Sequence, residues 1–403
     1  MGIIIRDPDD SRVHAKFSSS IDPAKADGFG YYAVFLWNVR HDYDLAEETY
    51  EQAIEADPKH AENLGSFARF LHYVRRDCDR ARLMFEEAIV AGPANARNLN
   101  NYAWFLWNVC RDYDQVEEMY KRAVAADPAN ARNLGNYAVF LKIVRRDYDR
   151  AEEMYERAVA ADPDNVRNLG NYALFLQNVR RDYDRAEEMY KQAITVDPNR
   201  ANNLSNYARF LRTVRRDYDR AEEMYERAVA ADPDNVRNLG NYALFLQNVR
   251  RDYDRAEEMY ERAVTADPDD ARNLGNYAIF LEIVRRDSGR VEEMYERAVT
   301  ADPNHANNLG NYADFLETVR RDYGRAEEMY ERAIAASPNH ANNLRNYARF
   351  LETVRRDYGR AEEMYERAIA ASPNHANNLR NYARFLETVR RDYGRAEEMY
   401  ERA

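Results

Sequence analysis

The chain has 403 residues, 45% of them hydrophobic, with 31 tyrosines, only 14 glycines and a net charge of −12. That composition is ample for a core and suits aromatic helix packing better than strands and tight turns. Residues 132–164 carry six Lys/Arg and seven Asp/Glu, so the signs are mixed and no basic stripe exists to hold nucleic acid phosphates. No stretch approaches the about 20 apolar residues of a membrane span. The two cysteines, Cys78 and Cys110, read as isolated replacements rather than a disulfide framework. The expectation is a protein with no nucleic acid or membrane partner, in a reducing, cytoplasmic setting.

In chain order, residues 1–25 come first and read as an irregular arm or partial cap. The start, MGIIIRDPDD, has an apolar run of only three isoleucines, too short for a secretory leader, and Arg6 breaks the myristoylation pattern. Pro23 keeps the spacing found downstream, but Ser18, Ser19 and Ser20 stand where a helical core is expected. Gly28-Phe29-Gly30 lacks the remaining glycines and the preceding strand of a phosphate loop.

From residue 26 onward the string around Tyr137 recurs every 35 residues, from Tyr32 through Phe67 and Tyr102 to Tyr382. A fixed period of this length predicts a solenoid whose units bury their apolar faces on one another. Ten full repeats and a truncated eleventh at 376–403 are expected. In the unit Ala131–Asn165, Leu134, Tyr137, Ala138, Leu141 and Val144 form one amphipathic stripe. Asp147 and Asp149 interrupt it, and Asp149-Arg150-Ala151-Glu152 has the form of a capping box opening a second helix. The second stripe is Ala151, Met154, Tyr155, Ala158 and Val159, closed by Pro163. Each unit is therefore expected to be a helical hairpin, with alanines where the helices approach.

Leu134, Tyr137-Ala138, Leu141, Tyr148, Ala151, Tyr155, Ala158 and Pro163 resemble, in order and type, the signature places of the tetratricopeptide repeat, over residues 26–403. The unit carries one extra residue between Leu141 and Tyr148, and it looks like the 35-residue variant of plant and algal tetratricopeptide-like proteins. Pentatricopeptide RNA binders fit worse on proline and alanine spacing. The resemblance implies an all-α, right-handed superhelical solenoid of helix–turn–helix repeats.

No catalytic or metal constellation stands out, so neither an enzyme nor a cofactor is expected. His305, His340 and His375 share one place in successive repeats, and such a row does not converge on a metal. The Arg145-Arg146-Asp147 turn is read as cations favouring a helix C-terminus. The places of Val139, Lys142 and Ile143 vary most between repeats. The first runs Val34, Arg69, Trp104, Val139, Leu174, Arg209, Leu244, Ile279, Asp314, Arg349, Arg384, and the second includes Trp37, His72, Trp107, Gln177, Arg212 and Glu282.

The resemblance implies that these places face a concave groove holding peptides. Trp37, Trp104 and Trp107 fall on that set, as apolar anchors or as packing between adjacent first helices. A constant row, Asn101, Asn136, Asn171, Asn206, Asn241, Asn276, Asn311, Asn346 and Asn381, either grips a peptide main chain or forms a ladder between repeats. Arg349, Glu352, Arg384 and Glu387 suggest a charged segment at the C-terminal end of the groove. The expected function is a non-enzymatic scaffold binding an extended peptide or protein segment. The alternative is a structural protein assembling head to tail through uncapped ends, with Ala403 inside the second helix of its repeat.

Overall fold

A computed structural model describes residues 26–403. The expected arm or cap at 1–25 lies outside the described residues. Twenty-two α-helices, and no strand, occur among the described residues. They form eleven hairpins, numbered here as repeats 1 to 11 from Ala26. Contacts divide the chain into two compact units, Met1–Pro198 and Asn199–Ala403. Each described unit is an all-α stack of hairpins.

Repeat 4 shows how the sequence makes the hairpin. Asn130 caps the first helix, Ala131–Phe140, by accepting from the Asn133 amide. The helix widens into a π turn over Leu141–Arg145, which takes up the extra residue. The Leu141 carbonyl then accepts from the Asp147 amide at 3.1 Å, and Arg146 between them sits in the left-handed region at φ 54°. The eleven described repeats place His41 or an arginine there, never glycine. Asp147, not Asp149, caps the second helix, Tyr148–Ala161, by accepting from the Arg150 amide. The capping-box reading is corrected by two residues, because the backbone is non-helical at Asp147 (φ −88°, ψ 84°) and Asp149 already lies inside the helix. Leu134, Ala138, Ala151, Tyr155 and Ala158 are fully buried. The Tyr155 ring stacks on Tyr172 of the next repeat at 5.4 Å, so a hairpin completes its core only against a neighbour.

The seams between hairpins use two devices. In the first, an asparagine on the first helix crosses to the preceding repeat: Asn168 Nδ2 donates to the Ala131 carbonyl at 2.8 Å, and Asn308 to that of Ala271 at 2.7 Å. Glycine makes room for it, since a Cβ on Gly135 would stand 2.1 Å from Asn168 Oδ1. This close approach offsets the about 1 kcal/mol that a mid-helix glycine costs relative to alanine. Asn100 or Ser205 in the glycine's place leaves the partner asparagine, Asn133 or Asn238, with unpaired amide atoms. Arg345 there turns Asn378 away to the Ala368 carbonyl of its own seam, at 3.4 Å.

In the second device, Arg145 reaches back to Glu117 (2.7 Å), Asp114 (2.6 Å) and the Tyr113 carbonyl (3.0 Å), while its guanidinium lies over the Phe140 ring. Arg150 adds a second bond to Glu117 at 3.1 Å. The first arginine of the Arg-Arg-Asp turn is thus a cross-seam clamp, a more specific role than dipole compensation.

Candidate functional site: the first-helix face

The nine asparagines of the constant row are all half-buried on the first helices. Asn136 donates to Asn100 at 3.0 Å and Asn241 to Ser205 at 3.3 Å, in both cases where glycine is missing. Asn346 accepts from Arg345 at 3.0 Å. The side chains of Asn101, Asn171, Asn206, Asn276, Asn311 and Asn381 have no hydrogen-bond partner among the described residues. The regular ladder between repeats belongs instead to the row three residues earlier, typified by Asn98 and Asn168. Sequence reasoning passed over that row, although its signal was present: a second asparagine paired with a glycine two residues on.

The three tryptophans fall into two groups. Trp37 and Trp107 each pack edge-on against the phenylalanine of the next first helix, Phe70 at 5.8 Å and Phe140 at 5.6 Å. Trp104 meets Tyr73 at 5.5 Å and His72 at 5.9 Å.

The variable place of Lys142 is tied to the core. The buried tyrosine of the second helix aims its hydroxyl there, and Tyr190, Tyr260, Tyr330 and Tyr365 donate to Gln177, Gln247, Glu317 and Glu352 within 2.9 Å. Repeats 1, 3 and 4 carry Trp37, Trp107 and Lys142 instead, and the hydroxyls of Tyr50, Tyr120 and Tyr155 are buried without a partner. Burial pulls the Lys142 ammonium below its usual value. Repeat 2 avoids the problem with Phe85.

A cavity of about 170 Å³ opens on this face in repeats 2 to 5, lined by Arg69, Arg132, Arg167, Trp104, Asn101 and Asn136. His72, Tyr73 and Phe85 line it as well. None of the three arginines has a carboxylate partner among the described residues. Arg69 lies over the Trp37 ring at 5.4 Å. Burial lowers its pKa, and Arg132 and Arg97 push the same way against Tyr73 and Tyr50. Arg349 occupies the same place in repeat 10 with the opposite outcome. Burial works against its charge too, but Glu317 at 3.1 Å and Asp314 at 2.7 Å outweigh it and raise the value. Glu352 and Glu387 accept from Tyr365 and Tyr400, and Arg384 stands 3.8 Å from Glu352.

The histidine row has a local structural role: Nδ1 of His305 and His340 caps the following helix by accepting from Asn308 and Asn343 at 3.3 Å. Among the described residues, no three His, Cys, Asp or Glu side chains gather as a metal site. No described helix is long and apolar enough to cross a membrane.

Tetratricopeptide-repeat family models match residues 42–60, 146–165, 179–236 and 215–272. A model described as TmcB, TPR repeats, matches 323–371 and 358–403, and a Sel1 repeat model matches 306–338. No curated protein matches the sequence. Among solved structures, a monomeric IFIT1 mutant with m7Gppp-AAAA is 16% identical, with a TM-score of 0.53 over 97% of this chain and 92% of that one. The human IFIT1 dimer with PPP-AAAA gives 16% and 0.52, covering 96% of both chains. Yeast Tom70 gives 16% and 0.48 over 93% of this chain and 91% of that one. For the two IFIT1 structures, at these identities, the likeness is one of fold.

Proposed function

Because the chain belongs to the tetratricopeptide-repeat superfamily, we propose that it is an interaction scaffold whose first-helix face holds an extended peptide, with an acidic stretch seated in repeats 2 to 5. The observation that carries this reading is the cavity with three arginines and no carboxylate. Arg69 is half-buried without a counter-ion, which is costly, while Arg132 and Arg167 are exposed beside it; an incoming carboxylate relieves the cost at Arg69 with bidentate geometry. Trp104 and Tyr73 offer rigid aromatic surface beside the charge. The amides of Asn101 and Asn136 supply donors and acceptors for a main chain. A peptide suits the site better than a nucleic acid, since a long polyanion meets the repulsion of a chain with net charge −12. Trp37 and Trp107 are positioned to support the face rather than to anchor a ligand.

The test is selection of a random dodecapeptide library on the full chain. Enrichment of Asp and Glu beside apolar residues is expected, with affinity that falls as salt rises. The selected peptide should bind at least about tenfold more weakly to Trp104→Ala and to Arg132→Glu, the loss of one anchor. Unchanged affinity in both variants would sink the reading. So would tighter binding of a 5′-triphosphate RNA oligonucleotide through the same arginines.

A further inference from the structure

Nine of the eleven described repeats open the second helix with tyrosine; Cys78 and Ser288 are the exceptions. In repeat 7 this tyrosine lies against the seam with the next repeat. The Tyr253 ring lies 6.5 Å from Phe280 of the next repeat. The ring body is packed while the hydroxyl end reaches water, as the 39% exposure of Tyr148 and of Tyr323 records.

Ser288 removes that ring in repeat 8. A cavity of about 460 Å³ lies there, walled by Ile283, Val291, Phe315 and Val319, with Glu282 at its edge. Val319 is 44% exposed, whereas Val284 and Val354, at the same place in the adjoining repeats, are half-buried. Ile283 is 65% exposed beside it. Arg286 lines the cavity, and Arg320 stands beside it, over the Phe315 ring. Arg285 pairs with Asp254 in the preceding seam, but Gly289 stands at the equivalent place, leaving Arg320 with Glu292 and the Ser288 carbonyl.

We infer that this notch receives a tyrosine side chain from a partner segment, which replaces the ring that the chain supplies for itself at sister sites such as that of Tyr253. The occupant follows from those sites: apolar walls sized for a ring, an open mouth for a phenol hydroxyl, and a guanidinium for a main-chain or side-chain oxygen on the partner. The notch lies outside repeats 2 to 5, so its test is independent of the acidic-peptide reading.

The probe is 4-methylphenol, titrated into the full chain labelled at isoleucine and valine methyls. Saturable shifts of the Ile283 and Val319 methyls are expected, and these should persist in Ser288→Ala. They should vanish in Ser288→Tyr, which copies nine repeats that already fold and fills the notch from within. Absence of saturable shifts in the native chain would overturn the inference, as would equal shifts in Ser288→Tyr. Equal binding of cyclohexanol would overturn the choice of an aromatic ring. Probe-free shifts of the same methyls with protein concentration would make a second copy the occupant and overturn the partner.

Discussion

Repeats 1 to 4 and repeats 7 to 10 are built on one pattern but differ in how the second-helix tyrosine hydroxyl and the arginine at the place of Arg69 are paired. In the early repeats Tyr50, Tyr120 and Tyr155 bury hydroxyls without acceptors, and Arg69 holds a charge without an acid. In the late repeats Tyr260, Tyr295, Tyr330 and Tyr365 each find a Gln or Glu, and Arg349 is held by Asp314 and Glu317. Repeat 5, with Gln177, already has the closed arrangement. Once the scaffold is constant, the residues at these variable places decide whether a repeat's own hydroxyls and charges are paired.

Breaking the closed side has the largest expected effect. Glu317→Leu removes the acceptor of Tyr330 and one partner of Arg349, which should cost about 2–3 kcal/mol locally. Hydrogen exchange of the helices 306–315 and 323–336 reads that loss, and protection equal to the native chain would contradict the pairing. Closing the open side comes next. Lys142→Gln gives Tyr155 the acceptor that Tyr190 already has, with an expected gain of about 1 kcal/mol in the same measurement; a loss would show that the lysine stem packs better than the amide bonds.

The smallest effect concerns Glu282. Burial raises its pKa, Asp314 adds to this and the Tyr295 hydrogen bond opposes it. The folded state therefore holds that proton more tightly than the unfolded chain. Its contribution is favourable below the unfolded pKa and is lost as pH rises through the folded one. Glu282→Gln should be slightly more stable than the native chain at pH 7, the gain fading on acidification through the carboxylate range. A gain that grows on acidification would reverse the sign.

Much of this was legible in the sequence. The 35-residue beat gave the hairpins, and the buried Leu134, Tyr137, Ala138, Tyr155 and Ala158 are the residues whose periodicity announced them. The capping position was misread because Asp149 and Asp147 both suit a cap, and only the π turn decides between them. Two asparagine rows sit three residues apart on one helix. The row at Asn136 drew attention as a ligand or ladder residue, while the row at Asn168, whose fit depends on a glycine in the preceding repeat, makes the ladder. The arginine cavity was hidden by counting charge along the chain. Glu117 and Glu152 balance the total, but they lie on second helices against Arg145 and Arg180, leaving Arg132 and Arg167 unpaired on the first. The missing acceptors of Tyr120 and Tyr155 were equally hidden, since nothing in the sequence says that the variable place touches that hydroxyl.

The central contrast is between Arg69 and Arg349, the same residue at the same place in two repeats. The direct measurement is hydrogen exchange of the helices 61–70 and 341–350 after Arg69→Met and Arg349→Met, each made alone in the full chain. Arg69→Met should leave protection unchanged or raise it, because an unpaired half-buried cation is lost. Arg349→Met should lower it by about 1–2 kcal/mol, because Asp314 and Glu317 lose their shared partner. Equal losses in both variants, or a larger loss at Arg69, would contradict the account.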